Sequence, residues 1–169
     1  MELNDVIYGR ASVRAFTDEP PADDRIERLL RAAMAAPSAG NQQPWAFVVV
    51  RDAGLRARLA AASPYAGPAA KAPVVVVVCT RPAEARFPGN APQDAAAATE
   101  NLLLAAVDEG LGAVWLGIAP EADRMAAVAA ALDLPADTQP FALVAVGFPA
   151  AAPAPHGAER FDPERVQWR

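Results

Sequence analysis

Val74 to Val78 is an unbroken run of five valines, closed by Cys79. Successive side chains of a strand point to opposite faces, so a strand without alternation is apolar on both. β-Branched residues also favour extended backbone. The run therefore predicts a central strand covered on both sides. Cys79 at its end reads as a buried core thiol, and a lone cysteine allows no intramolecular disulfide.

The other elements must supply those covering layers. Leu3 to Gly9 reads as a short helix, and Pro20-Pro21 then breaks the chain. Asp23 or Asp24 is placed to cap a helix running to about Ala36. Its residues Ile26, Leu29, Leu30, Ala33 and Met34 form one apolar stripe, while Glu27, Arg28 and Arg31 face water. Trp45 to Val50 is a short strand and Leu55 to Ala62 a helix. Pro82 to Pro92 is a proline-punctuated loop, the segment most able to move. A helix from about Asp94 to Glu109 is apolar nearly all round and should be buried, with Gly110 as its carboxyl cap. Ala113–Gly117 and Phe141–Val146 are further strands, separated by an alanine-rich helix near Glu121 to Leu132. Mixed helices and strands without a strict βαβ repeat indicate an α+β layer fold in one domain over residues 1–169. A Pro/Ala-rich connector, residues 150–158, leads to a tail ending Val166-Gln167-Trp168-Arg169.

Charge and composition narrow the function. The net charge of −5 argues against nucleic acid or an anionic membrane surface as partner. No stretch approaches the roughly 18 apolar residues of a membrane span. The acidic start Met1-Glu2-Leu3-Asn4-Asp5 does not resemble a signal peptide, so a cytoplasmic location is expected. Gly110-Leu111-Gly112 follows a helix, precedes a strand and lacks a third glycine, which rejects a Rossmann fingerprint. The sole histidine, His156, lies in the connector, and nothing pairs with Cys79, so triads, thiol catalysis and histidine metal sites have no basis. Asp94 and Glu100 read as a helix cap and a solvated or interface residue rather than a catalytic pair. A chain without nucleophile or base suits an enzyme whose cofactor carries the chemistry.

Two motifs say which cofactor. Ala36-Pro37-Ser38-Ala39-Gly40-Asn41-Gln42-Gln43-Pro44-Trp45 packs hydroxyl and amide groups between two prolines, suiting a ligand rich in carbonyls, ring nitrogens and hydroxyls. Arg10-Ala11-Ser12-Val13-Arg14-Ala15-Phe16, if extended, turns two guanidiniums and a hydroxyl to one side, a trio able to hold a phosphate. These segments resemble the A-P-S-x-x-N-x-Q-P-W and R-x-S-x-R-x-F elements of the nitroreductase-like flavoproteins. The stretches from Asp94 to Gly117 and from Leu134 to Pro149 resemble that family's central helix and last strands, in family order.

The resemblance implies a small nitroreductase-like protein with a central, mostly antiparallel sheet flanked by helices. It implies an intertwined homodimer in which the carboxyl-terminal tail, about residues 156–169, gives a strand to the partner. It implies FMN as cofactor, NADH or NADPH as donor, and a small-molecule acceptor such as a nitro compound or quinone, reduced by a ping-pong mechanism. Arg10 and Ser12 would hold the phosphate, with Arg160 as a further basic ligand, although Glu159 departs from the basic residue many relatives carry there. Arg14 would set positive charge beside the flavin ring, Gly117 and Ile118 would present backbone N–H groups to its N5 edge, and Pro37, Ser38, Ala39 and Asn41 would reach the flavin held mainly by the other subunit. The alternatives on the same fold are a reductive dehalogenase, a metabolite dehydrogenase, or a non-catalytic FMN-binding or storage protein.

Overall fold

Four strands form one antiparallel sheet: β1 (Trp45–Val50), β2 (Val74–Thr80), β3 (Gly112–Gly117) and β4 (Gln139–Gly147), in the order β1-β2-β4-β3. The computed structural model describes residues 1–154 and 160–169. The valine run is interior, as expected. Val77 lies opposite Val48 on one side and Leu143 on the other, and all seven residues of β2 are buried. Val74, Val76 and Val78 face one layer, where Ile26, Leu29 and Ala33 of α2 (Asp23–Met34) meet Ala98 and Leu102 of α5 (Ala91–Asp108). Val75, Val77 and Cys79 face the other, against α3 (Ala53–Ala61), α4 (Pro68–Lys71) and α6 (Ala122–Leu132). Full burial of each valine contributes about 1.5–3 kcal/mol. The first helix, α1 (Leu3–Gly9), lies against α5.

Several expectations are corrected. The helix expected from Asp94 begins three residues earlier, at Ala91, because Pro92 falls in the first turn, where a missing N–H costs nothing. Neither Asp23 nor Asp24 caps α2. The capping residue is Ala22, and both carboxylates lie in the first turn, Asp23 bonded to Arg51 (2.7 Å) and Asp24 to Arg28 (3.0 Å). Met34 does not join the buried stripe: it is the last residue of α2 and 52% exposed. The Pro82–Pro92 segment holds two short 3-10 turns, Pro82–Glu84 and Pro88–Asn90, and α4 has no counterpart in the sequence reading. In the described part of the tail Pro163–Arg165 forms a 3-10 turn and no residue joins the chain's own sheet; Trp168 is 93% exposed.

The carboxyl end of α5 is tied to α2. Gly110 adopts φ +69° and ends the helix, with the Leu111 N–H donating to the Ala106 carbonyl (2.7 Å). Arg28 grips both oxygens of Glu109, at 2.6 and 2.9 Å, and Arg25 donates to the Glu109 carbonyl. The Arg28 guanidinium holds the Glu109 carboxyl below its ordinary value of 4.5. Stability from a depressed carboxyl is present above the unfolded-state value and is lost as pH falls through the folded one. Glu109→Gln is therefore expected to lower the thermal midpoint at pH 7. Its stability should also fall less than the parent's between pH 5 and 3, as followed by circular dichroism.

Candidate functional site

The Arg10–Phe16 segment is held along the edge of the sheet by its backbone. Ser12 forms a parallel bridge with Ala113, and the Val13 N–H donates to the Ala113 carbonyl at 3.0 Å. On the other side the Thr17 N–H donates to the Phe148 carbonyl (2.9 Å) and the Ala150 N–H to the Ala15 carbonyl (3.1 Å). Extended backbone alternates its side chains: Val13 turns inward and sits on Gly112, while Ser12 and Arg14 are exposed. A Cβ on Gly112 would lie 2.7 Å from Val13 Cγ1, so that glycine is what lets the segment approach.

Ser12 and Arg14 line a cavity of about 400 Å³ between residues 11–15 and 151–154. Arg14 Nη1 donates to the Ser12 carbonyl at 3.2 Å. Arg10 lies outside that lining, turned towards α5, with its Nε 3.6 Å from Glu100 Oε1. The cavity therefore carries one guanidinium and one hydroxyl, and the second guanidinium expected there, that of Arg10, is turned to Glu100 instead.

The Pro37–Pro44 loop is built from strained backbone. Gly40, Asn41 and Gln43 have φ of +55°, +55° and +48°. For the two non-glycine residues this costs of order 1–3 kcal/mol each and persists only where neighbours impose it. Asp94 is the principal such neighbour. It is buried (6% exposed) and accepts the Ala39 N–H at 3.0 Å and Gln42 Nε2 at 2.7 Å. It is thus neither a cap nor a solvated residue. Ser38 Oγ accepts the Gln43 N–H, and Asn41 Oδ1 accepts Gln43 Nε2, both at 3.0 Å. Gln42, read as part of a ligand-facing set, is turned into the protein. Its amide accepts the Phe87 N–H (2.8 Å) and donates to the Phe87 carbonyl (3.1 Å). The sequence held one signal for Asp94: it is the carboxylate that opens a run of four alanines, where a buried charge must find a partner.

The remaining site residues are spread over the sheet. Gly117 pairs with Ala142 at the far end of β3, is exposed, and has no atom within 4 Å of where a Cβ would stand. The Ile118 side chain is fully buried and its carbonyl accepts the Glu121 N–H. Ala113, beside Ser12, and Gly117 are separated along β3 by about 13 Å at the usual strand rise. The Pro37–Pro44 loop enters β1 at the Gly117 end of the sheet but on the opposite edge, three strand spacings or about 14 Å away. Ser38, Asn41 and Gly117 do not line the Ser12–Arg14 cavity. Arg160 is exposed at the start of the tail, and His156 and Glu159 lie outside the described residues.

Competing chemistries find no support among the described residues. Burial pushes the Cys79 thiol up to about 11, so it stays protonated and is a poor nucleophile. No group of three or more His, Cys, Asp or Glu side chains is placed to hold a metal ion. Among the described residues no helix is long and apolar enough to cross a membrane.

The sequence profile of the nitroreductase family matches residues 7–71 and 56–148. The chain belongs to the nitroreductase family. It is 40% identical to an Archaeoglobus fulgidus protein provisionally named NADH dehydrogenase/NAD(P)H nitroreductase, over 95% of this chain and 94% of that one. Among solved structures it resembles a provisionally named NADH oxidase of Clostridium acetobutylicum (TM-score 0.92, 38% identity, 96% and 98% of the two chains). It also resembles a provisionally named nitroreductase of Desulfovibrio desulfuricans solved in complex with FMN (TM-score 0.84, 33% identity, 97% and 94%). The four-stranded antiparallel sheet flanked by helices is the nitroreductase fold.

Two substitutions test how the site is held. Asp94→Ala leaves the Ala39 N–H and the Gln42 amide without their partner, and is expected to cost about 1–3 kcal/mol. Amide exchange at Ala39 should accelerate in that variant relative to the β2 amides. Gly112→Ala forces Val13 outward, at about 1–3 kcal/mol of overpacking, and should expose the Val13 amide to exchange.

Proposed function

We propose that this protein is an FMN-dependent oxidoreductase that takes electrons from NADH or NADPH and passes them to a nitro compound, quinone or similar acceptor. The observation that carries the reading is the Ser12–Arg14 cavity. An exposed guanidinium and hydroxyl, on backbone fixed at both sides, fit a phosphate monoester, because arginine forks make charge-assisted bonds to anionic oxygens. The relative solved in complex with FMN and the names of the other relatives support the same choice.

FMN bound here would supply the redox chemistry, and the residues of the chain supply position and charge. In this reading Arg10 and Ser12 hold the phosphate, with Arg160 from the tail as a further cation. Arg14 fixes positive charge beside the ring's pyrimidine edge, which favours the electron-rich state. The open strand end at Gly117 lets backbone approach the ring, with Ile118 following it. Donor and acceptor then use one face in turn, which is a ping-pong scheme.

The site is completed by a second copy of the chain. Ser12 and Arg14 sit at one sheet end, and the Pro37–Asn41 loop at the other end and the far edge, so one chain does not gather them around one cavity. The partner's loop would supply Pro37, Ser38, Ala39 and Asn41. Two features fit a permanent dimer: the partly exposed Leu104 and Ala105 on the outer side of α5, lining a shallow groove with Leu3 and Val6, and the exposed tail with Val166 and Trp168 in alternation. The tail would add a strand to the partner's sheet.

The purified protein is expected to be yellow or to take up added FMN at micromolar concentration; a colourless protein that binds none contradicts the proposal. Arg10→Ala should weaken FMN binding by about 1.5–3 kcal/mol, roughly 10- to 150-fold in Kd by fluorescence quenching. Arg14→Ala should in addition lower the midpoint potential of bound FMN, and an unchanged potential would leave Arg14 a binding residue only. Sedimentation should give a dimer, and removal of the residues after Pro155 should cost both the dimer and FMN. A flavin-loaded monomer at micromolar concentration contradicts the two-chain site.

A further inference from the structure

A cavity of about 480 Å³ opens where β1 ends and β2 begins, and it shares no lining residue with the Ser12–Arg14 cavity. Arg51, Arg56 and Lys71, the chain's only lysine, line it together with Thr17 and Asp18. Backbone carbonyls hold both guanidiniums. Arg56 Nε donates to the Arg51 carbonyl and its Nη1 to the Ala70 carbonyl, both at 3.3 Å, and Nη1 donates also to the Ala72 carbonyl. Arg51 Nη2 donates to the Pro21 carbonyl (2.9 Å) and to Asp23 Oδ1 (2.7 Å). Carbonyls fix a guanidinium in place without cancelling its charge. Asp23 balances Arg51, but among the described residues neither Arg56 nor Lys71 is in an ion pair, and Arg56 Nη2 has no hydrogen-bond partner. In a chain of net charge −5 this is a local surplus of cations with donors unused.

We propose that this cavity is a binding site for a small phosphate ester on a hydroxylated scaffold, of the chemical class of a sugar phosphate. Arg56, pre-set by its carbonyls, and Lys71 supply the charge, since a guanidinium fork and an ammonium both bond phosphate oxygens. Asp18 decides what carries the phosphate. An ionised carboxylate only accepts hydrogen bonds, so it repels a bare anion and takes the hydroxyls of a polyol, while the Thr17 hydroxyl can donate or accept. The volume falls within the range of about 300–1,000 Å³ usual for small organic ligands. Thr17, Asp18, Arg56 and Lys71 have no part in the flavin reading, and the inference does not rest on it.

The test is calorimetric titration of the FMN-loaded protein with ribose 5-phosphate, inorganic phosphate and ribose at low ionic strength, where exposed charges are least screened. Ribose 5-phosphate is expected to bind about tenfold more tightly than inorganic phosphate, the effect of one hydrogen bond to a charged group, and ribose to give no signal. Lys71→Gln should weaken both phosphates about fivefold or more, by loss of a charged contact. Asp18→Ala should do the opposite for inorganic phosphate, by removing a like charge, and should abolish the preference for the ester. Both side chains are exposed, so both variants should keep the thermal midpoint of the parent. The flavin spectrum should not change during any titration. No binding of ribose 5-phosphate at millimolar concentration overturns the proposal, as does binding that Lys71→Gln leaves intact. A preference for the ester that survives Asp18→Ala overturns the assignment to a hydroxylated scaffold. A protein that takes up no FMN overturns the flavin reading alone, and the same titrations of the flavin-free protein then decide this one.

Discussion

Seven consecutive buried residues in β2 constrain everything else in this protein. A strand apolar on both faces needs neighbours on both edges and a layer on both faces. β1 and β4 meet the first need. The helices α2 and α5 on one side and α3, α4 and α6 on the other meet the second. With the centre of the sheet closed, only its ends and outer edges can carry polar chemistry. The candidate site is found there.

That confinement explains the division of the site. The β3 edge accepts the Arg10–Phe16 segment because Gly112 leaves room for Val13, and this sets Ser12 and Arg14 at one end of the sheet. The loop before β1 is tied to α5 by Asp94 and emerges at the other end, on the opposite edge. The helix α5 touches both halves, through Asp94 in its first turn and Glu100 further along beside Arg10. A change in how α5 seats against the sheet would thus move Arg10 and the strained loop together.

The elements were legible where periodicity or punctuation is strong. The valine run gave an interior strand, Pro44 and the apolar run after it gave β1, and Gly110 closed α5 as a left-handed cap. The family was legible in two short motifs, and the family profile and the solved relatives agree with it. What could not be read was settled over distance. Gln42 faces inward because its partners lie 45 and 52 residues away, at Phe87 and Asp94, and no local pattern chooses between them and a ligand. Asp94 reads as a cap when Pro92 is assigned to the preceding loop, whereas Pro92 belongs to the first turn of α5. Four residues of α4 are too few for a helical period to show. That Ser12 and the Pro37–Pro44 loop lie at opposite ends and edges of the sheet is also beyond sequence reading, because it turns on strand order.

The central claim is that each site draws on two chains, and mixing two defective subunits tests it directly. One variant carries Arg10→Ala and Arg14→Ala, the other Ser38→Ala and Asn41→Ala, and neither homodimer should bind FMN tightly. If sites are shared, a heterodimer holds one site with all four changes and one with none. Titration of the isolated heterodimer should then recover one tight FMN per dimer, at the affinity of the parent protein. A heterodimer that recovers no tight site would place all these residues around one chain's flavin and contradict the account.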